Sequence, residues 1–168
     1  MGEPVVRHAR TADVRAIKKL VDSFAVDRRL LAKATVTLYE DVQEFWVAED
    51  PDSGTIVGCG ALHVLWEDLA EVRTIAVDPE LQGSGIGSAM LTHLVDVALD
   101  LGIKRLFCLT FAIGFFGAHG FVEIEGTPVD HDTYAEMLQS YDEGVAEFLD
   151  LERVKPNTLG NTRMLRLL

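Results

Sequence analysis

The segment AEVRTIAVDPELQGSGIGSAML, residues 70–91, contains the pattern that decides the fold. An apolar run up to Asp78 predicts a β-strand, which Pro79 ends. The loop that follows carries three glycines, Gly83, Gly85 and Gly87. Apolar side chains at helical spacing then predict an α-helix from about Gly85 to Leu101, with Gly102 as its C-terminal cap residue. A strand, a glycine loop and a helix in this order predict that a ligand approaches the backbone closely.

The glycine loop has the properties of an anion site. Glycines without Cβ atoms let successive N–H groups converge, and the N-terminal end of a helix favours negative charge. The spacing excludes the Rossmann pattern G-x-G-x-x-G and the P-loop pattern, which ends in Gly-Lys-Ser/Thr. A pyrophosphate fits such a loop. A flexible loop with incidental glycines remains the alternative, because G-x-G alone is weak evidence.

Hydrophobic patterning predicts the rest of the topology. Strands are predicted over residues 4–9, 44–50, 55–65, 70–78 and 103–111, after Gly120, and near 163–167. Further helices are predicted after Thr11 as the N-cap, over 36–43, before Gly120, and between 132 and 149. This order predicts an α/β (α+β) fold in one domain over residues 1–168, of which 127–168 form a C-terminal tail.

Composition narrows the class of partner. The 27 Asp and Glu outnumber the 15 Lys and Arg, for a net charge of −12, which argues against nucleic acid. No apolar stretch reaches the roughly 18 residues of a membrane span. The first ten residues lack a basic n-region and an apolar h-region, so we expect no secretory signal. Cys59 and Cys108 lie in apolar runs without metal-ligand spacing, which predicts buried thiols, a cytoplasmic location and no metal.

Two motifs resemble those of the GNAT acetyltransferases. The first, [Q/R]-x-x-G-x-[G/A] opening a helix, is matched by Gln82, Gly85 and Gly87; the second, aromatic-x-x-x-Gly-Phe, is matched by Phe116, Gly120 and Phe121. The predicted strand order is also the order of that family, and the resemblance covers about residues 5–122. It implies a mixed, mostly antiparallel sheet of six to seven strands flanked by helices, with acetyl-CoA as the co-substrate.

The same resemblance implies a set of acetyl-CoA-binding residues. They lie on the fourth strand, in the glycine loop, at the helix start and in the second motif: Ile75, Ala76, Val77, Gln82, Gly83, Ser84, Gly85, Ile86, Gly87, Ser88 and Phe116. The backbone N–H of Ile75 is expected to meet the oxyanion that forms during acetyl transfer, since donors fixed in a sheet need no reorganisation.

Several segments resemble the acetyltransferase domain of the N-acetylglutamate synthases in particular. These are EFWVAE (44–49), IVGCGALH (56–63), LFCLT (106–110) and FFGAHGF (115–121). The resemblance implies transfer of an acetyl group to the α-amino group of L-glutamate or L-glutamine, the first step of arginine biosynthesis, within a ternary complex. The classical synthases carry a preceding amino-acid-kinase-like domain. This sequence contains no such domain, so we expect it to be a short, stand-alone form.

Two residues are expected to carry the proton transfers. Glu71 matches the catalytic Glu of the synthases' A-E strand; the alternatives are a solvated edge carboxylate or a salt-bridge partner of Arg73. Phe116 stands where many family members have a proton-donating Tyr, and it cannot donate. The synthases use a hydroxyl at the end of the fifth strand, where Thr110 falls; an ordinary strand Thr is the alternative.

An acidic acceptor needs a cation for its carboxylate. The candidates are Lys33, Arg73 and Arg163, each of which is otherwise an ordinary surface charge. A competing acceptor is a protein N-terminus, a lysine or a polyamine, which the acidic surface suits. A non-catalytic acyl-CoA-binding regulatory module is the alternative of another class, and Phe116 favours it. The apolar end MLRLL (164–168) is compatible with a closing strand or with a homodimer interface.

Overall fold

The computed structural model of the protein describes residues 2–25, 33–158 and 160–168. The strands are β1 (Val5–His8), β2 (Phe45–Glu49), β3 (Ile56–Trp66), β4 (Leu69–Val77), β5 (Arg105–Thr110), β6 (Val122–Glu123) and β7 (Thr162–Leu167). The α-helices are α1 (Val14–Ala25), α2 (Thr35–Glu40), α3 (Ile86–Asp100), α4 (Ile113–Ala118), α5 (His131–Met137), α6 (Glu143–Phe148) and α7 (Lys155–Thr158). Short 3-10 helices cover Thr11–Asp13, Val42–Glu44, Pro79–Leu81 and Glu152–Val154. None of the helices in the described ranges is long and apolar enough to cross a membrane.

The strands form one mixed sheet in the order β1-β2-β3-β4-β5-β7-β6. β4 and β5 run parallel, whereas β1–β2, β2–β3, β5–β7 and β6–β7 are antiparallel pairs. A parallel pair requires a crossover connection, and α3 lies in the connection between β4 and β5. The predicted mixed, mostly antiparallel sheet flanked by helices is therefore confirmed.

Residues 1–63 and 72–101 form the first of two compact units. The predicted apolar face of α1 is buried, with Val14, Ile17, Leu20 and Val21 at most 7% exposed, and packs against Phe45, Val47 and Cys59. Gly58 and Gly60 of β3 leave room for α3, because a Cβ at Gly58 would lie 2.9 Å from Ile86 Cγ2. The first residue of α3 therefore packs directly on the β3 backbone.

Residues 64–71 and 102–168 form the second unit. Its core contains Phe107 and Phe148, whose rings meet edge to face at 5.3 Å, together with Leu69 and Leu165. Arg105 binds both carboxylate oxygens of Asp68 (3.1 and 3.0 Å) and the carbonyl of Pro128 (2.7 Å). These contacts join the β3–β4 turn, β5 and the segment before α5.

Several predicted elements need correction. Thr11 is not an N-cap, because the carboxylate of Asp13 binds the Arg10 N–H (2.7 Å) and Arg7 (2.8 Å) and shapes a 3-10 turn instead. The second helix ends at Glu40, and Val42–Glu44 continues as a 3-10 helix. The sixth strand has only two residues, and both pair with β7. β7 pairs with β5 along its whole length.

Candidate active site

The C-terminal half of β4 is distorted at Thr74. This buried residue has φ of +61°, a conformation that is rare for a β-branched residue and costs free energy. The Cys59 thiol donates to its carbonyl oxygen at 3.5 Å. Beyond the distortion Ile75 and Val77 are half-buried and Ala76 is buried. The expected acetyl-CoA-binding strand therefore follows a strained position, which is typical of functional sites.

The glycine loop leads directly into α3. The Asp78 carboxylate accepts the Glu80 N–H (3.0 Å), and the loop then turns through Gly83 (φ +80°) and Gly85 (φ +91°). No atom lies within 4 Å of a Cβ built at either glycine, so positive φ alone requires glycine there. Residues 82–85 are exposed, and α3 begins at Ile86.

This geometry suits an anion. The N–H groups in the first turn of α3 have no intrahelical acceptor, and the dipole of the 15-residue helix favours negative charge there. The Ser84 hydroxyl donates to the Leu81 carbonyl and tightens the turn before the helix. The loop residues expected to bind acetyl-CoA, Gln82 through Ser88, are thus contiguous and lie at or near the surface except for the buried Ile86.

Glu71 lies on β4, with 4% of its surface exposed, at the position that pairs with Phe107 of β5. Glu71 is therefore not a solvated carboxylate on an edge strand. Burial raises the pKa of the Cys108 thiol, and the negative charge of Glu71 raises it further. A buried carboxylate is a candidate for chemistry, because Glu is rarely buried without a role or a partner.

Thr110 ends β5 and is 8% exposed. Its Oγ1 accepts the N–H of Ala112 at 2.8 Å, so the hydroxyl proton can be donated elsewhere. Phe116 is 7% exposed and meets Phe115 and Phe121 edge to face at 5.1 and 5.2 Å. It fills an aromatic cluster and carries no donor, which leaves Thr110 as the hydroxyl candidate.

Lys33 and Arg73 act on the same acidic residue. Burial raises the pKa of Asp41, as does the charge of Glu44, whereas Lys33, Arg73 and His63 lower it. Glu44 Oε1 lies 2.7 Å from His63 Nδ1. We refer to these five residues of the first unit, Lys33, Asp41, Glu44, His63 and Arg73, as the charged cluster.

The sequence pointed to only the two cations of the charged cluster. Asp41 and Glu44 were part of a predicted helix and strand end, and His63 was part of a predicted strand. No spacing rule joins residues from a 3-10 helix, β3 and β4, so their association appears only in the folded chain.

Arg163 has a different environment. Its guanidinium donates to the backbone carbonyls of Glu147 (3.0 Å), Gly126 (2.9 Å) and Phe148. It lies 5.9 Å from the Phe107 ring centre, and burial lowers its pKa. These contacts anchor β7 to the segments around α6, so the case for an acceptor cation rests on Lys33 and Arg73.

Cys59 and Cys108 are buried free thiols, as predicted. Burial raises the pKa of Cys59 to about 12, which keeps it protonated. Among the described side chains, no group of three or more His, Cys, Asp or Glu is arranged to hold a metal ion.

Comparison with known proteins supplies the family. Residues 14–121 match the Acetyltransferase (GNAT) family. An amino-acid acetyltransferase of Mycobacterium tuberculosis is 63% identical over 166 residues, which cover 98% of this chain and 95% of that protein. An amino-acid acetyltransferase of Neisseria meningitidis is 33% identical over 69% of this chain, but the match covers only 27% of that protein.

Solved structures agree in fold. A Mycobacterium tuberculosis protein crystallised with CoA and NLQ superimposes with a TM-score of 0.93 at 63% identity, covering 98% of this chain and 99% of that one. The N-acetylglutamate synthase of Neisseria gonorrhoeae, complexed with coenzyme A and N-acetyl-glutamate, gives 0.78 at 24% identity, covering all of this chain and 36% of that one. The family match agrees with the glycine loop that opens α3 and with the distorted β4. The chain therefore belongs to the GNAT family of acetyltransferases.

Proposed function

We propose that the protein transfers the acetyl group of acetyl-CoA to the α-amino group of an amino acid, L-glutamate or L-glutamine, as the first step of arginine biosynthesis. The observation that carries the acceptor class is the charged cluster, which places two cations, Lys33 and Arg73, beside carboxylates in a chain of net charge −12. A carboxylate-bearing acceptor needs such cations, because the overall field repels it. The name of the Mycobacterium tuberculosis relative, amino-acid acetyltransferase, agrees with this acceptor.

Acetyl-CoA is proposed to bind through its pyrophosphate at the glycine loop and through its pantetheine arm along Ile75, Ala76 and Val77. The exposed loop and the first turn of α3 support this assignment, as does the CoA complex of the 63% identical relative. The Ile75 N–H is the proposed donor to the oxyanion, and Phe116 is a proposed cofactor contact. The proposed catalytic domain spans residues 1–168, and a cytoplasmic location is part of the same proposal.

The proposed reaction needs two proton transfers. Glu71 removes a proton from the ammonium group, directly or through water, and the amine nitrogen then attacks the thioester carbonyl. When the tetrahedral intermediate collapses, the C–S bond breaks and Thr110 donates its proton to the leaving thiolate. The excess proton still on the nitrogen passes to Thr110, which leaves a neutral amide and restores the hydroxyl. Burial of Glu71 and the Ala112 N–H bond to Thr110 support these roles.

A screen tests the proposed function. The protein is incubated with acetyl-CoA and each of the twenty amino acids, and released thiol is followed over time. We expect turnover with glutamate or glutamine well above the hydrolysis of acetyl-CoA alone. If neither amino acid releases thiol above that background, the proposed acceptor is wrong.

Glu71→Gln tests the proposed base. Removing a general base lowers kcat by about 10²–10⁴-fold, and we expect the dissociation constant of acetyl-CoA to stay within about twofold. Glu123→Gln, at an exposed position of β6, is the matched control and should leave both values unchanged. Small, equal effects in the two variants would remove Glu71 from this role.

A second acceptor class has one observation in its favour. The net charge of −12 and the acidic members of the charged cluster, Asp41 and Glu44, suit a cationic acceptor such as a polyamine, a lysine or a protein N-terminus. Including spermidine and a lysine peptide in the screen separates the two classes. Stoichiometric acetyl-CoA binding without turnover on any acceptor would instead support the non-catalytic module.

A homodimer is also proposed, on the apolar C-terminal strand. Leu167 of β7 is 74% exposed and Val122 of β6 is 64% exposed. Light scattering coupled to size exclusion should give about twice the chain mass of 18.5 kDa. A mass of one chain at micromolar concentration would refute the dimer.

A further inference from the structure

One atom of the charged cluster lacks a hydrogen-bond partner. Glu44 Oε1 is bound to His63 Nδ1 at 2.7 Å, but Glu44 Oε2 is buried and accepts no hydrogen bond from any described residue. Buried polar atoms in native proteins are nearly always paired, and exceptions call for an explanation. A bound ligand with an N–H group would supply the missing donor.

The contacts of Glu44 keep this oxygen in place. The residue is the last of the 3-10 helix Val42–Glu44, and β2 begins immediately after it at Phe45, which is 2% exposed. His63 belongs to β3. The imidazole holds one oxygen of this carboxylate and so restricts the direction in which the second oxygen points, which favours recognition of a ligand.

The cluster matches the charges of an amino acid zwitterion. Lys33 and Arg73 are suited to a carboxylate, and an ammonium group offers three N–H donors to a carboxylate oxygen. Asp41 is a weaker partner for a cation, because burial and the charge of Glu44 raise its pKa. Glu44 is the remaining acid and has an unused acceptor atom.

We propose that Glu44, held by His63, receives the ammonium group of the acceptor amino acid and thereby selects for acceptors that carry it. The inference rests on the proposed amino-acid acetyltransferase function. Glu44 binds the nucleophile before its deprotonation, whereas Glu71 is the proposed proton acceptor. The two residues therefore have separable kinetic effects.

Glu44→Gln is the informative substitution. It keeps the shape of the side chain but removes the charge and places an amide beside the ammonium. We expect the KM for the amino acid to rise about tenfold or more, with the KM for acetyl-CoA within about twofold, because hydrogen bonds to charged groups are the strong ones. Glu44→Asp, which keeps the charge, should recover part of the loss. Glu40→Gln, at an exposed position of α2, is the matched control and should leave all constants unchanged.

The experiment compares glutamate, glutamine and every other acceptor that the wild type acetylates. A similar rise in KM for all of them is expected, since the ammonium group is common to all. A rise confined to one amino acid would overturn the inference, because Glu44 would then contact that side chain. A parallel loss of kcat, of acetyl-CoA affinity and of thermal stability would also overturn it, because Glu44 would then act only on folding.

Failure of the proposed function has a different signature. If the wild type acetylates amines but no amino acid, the amino-acid acceptor is wrong. The ammonium role of Glu44 is then tested on the amine, whose KM should still rise in Glu44→Gln. An unchanged KM for that amine would overturn the inference independently.

Discussion

Gly58→Ala tests the packing of β3 against the first residue of α3. The added Cβ would lie 2.9 Å from Ile86 Cγ2 and 3.4 Å from the Ala48 Cβ. Ile86 is β-branched and only 4% exposed, so a rotamer change cannot relieve the contact and the start of α3 must move by several tenths of an ångström. Overpacking of this kind costs about 1–3 kcal/mol.

Two measurements report the displacement. For a chain of this size about 1–3 kcal/mol lowers Tm by roughly 2–4 °C for each kcal/mol, which thermal denaturation resolves. A displaced helix start also misaligns the N–H groups proposed to bind pyrophosphate. A loss of about 1 kcal/mol there raises the acetyl-CoA dissociation constant about fivefold, which isothermal titration calorimetry measures.

Two glycines provide controls for this prediction. Gly60→Ala meets Met90 Cγ at 3.0 Å, Leu94 Cδ1 at 3.1 Å and Ile75 Cγ1 at 3.3 Å, away from the first residue of α3. It should therefore lose stability but raise the acetyl-CoA dissociation constant less than Gly58→Ala does. Gly114→Ala has no atom within 4 Å and lies in α4, where alanine favours the helix by up to about 1 kcal/mol. If Gly58→Ala has the same Tm as Gly114→Ala, the close contact with Ile86 does not destabilise the fold. If Gly58→Ala binds acetyl-CoA as tightly as Gly60→Ala, the start of α3 does not control acetyl-CoA binding.

Three further predictions test other parts of the molecule. Gly85→Ala forces alanine to φ +91°, a strain of about 1–2 kcal/mol, and should weaken acetyl-CoA binding in calorimetry, whereas Gly102→Ala (φ +85°) should lose similar stability with unchanged affinity. Thr110→Val should lower kcat about a hundredfold in steady-state assays while Thr110→Ser retains activity; equal rates in both would exclude the hydroxyl. Arg7 lowers the pKa of Asp13 below its ordinary 3.8, so this pair stabilises the fold above that pH and loses its effect as pH falls through the folded value. Asp13→Asn should therefore lose about 1.5–3 kcal/mol in urea unfolding at pH 7 and progressively less as the pH falls below 3.8; a pH-independent loss would refute the ion pair as its cause.

Local signals were sufficient for most elements of the fold. The strand before Pro79, the glycine loop and the amphipathic helix up to Asp100 are recovered within one or two residues, because each follows from periodicity or from turn chemistry. Gly102 and Gly120 do adopt positive φ where a helix was expected to stop. The family resemblance at Gln82, Gly85 and Gly87 depends on the same short-range spacing and is confirmed.

These local signals do not predict which strands pair with one another. Nothing in the TRMLRL segment indicates that β7 inserts between β5 and β6, since strand order depends on which edges remain available after the sheet has formed. Arg163 illustrates the consequence. In sequence it is a cation like Lys33, but the fold surrounds its guanidinium with three backbone carbonyls.

The sequence by itself determined the family, the glycine loop and the types of element, because these depend on residues within a few positions of one another. The tertiary structure decided which charges meet. Burial of Glu71, the strain at Thr74 and the pairing of Glu44 with His63 arise from contacts between residues far apart in the chain. Electrostatic interactions and desolvation act through space, and the fold alone brings those groups together.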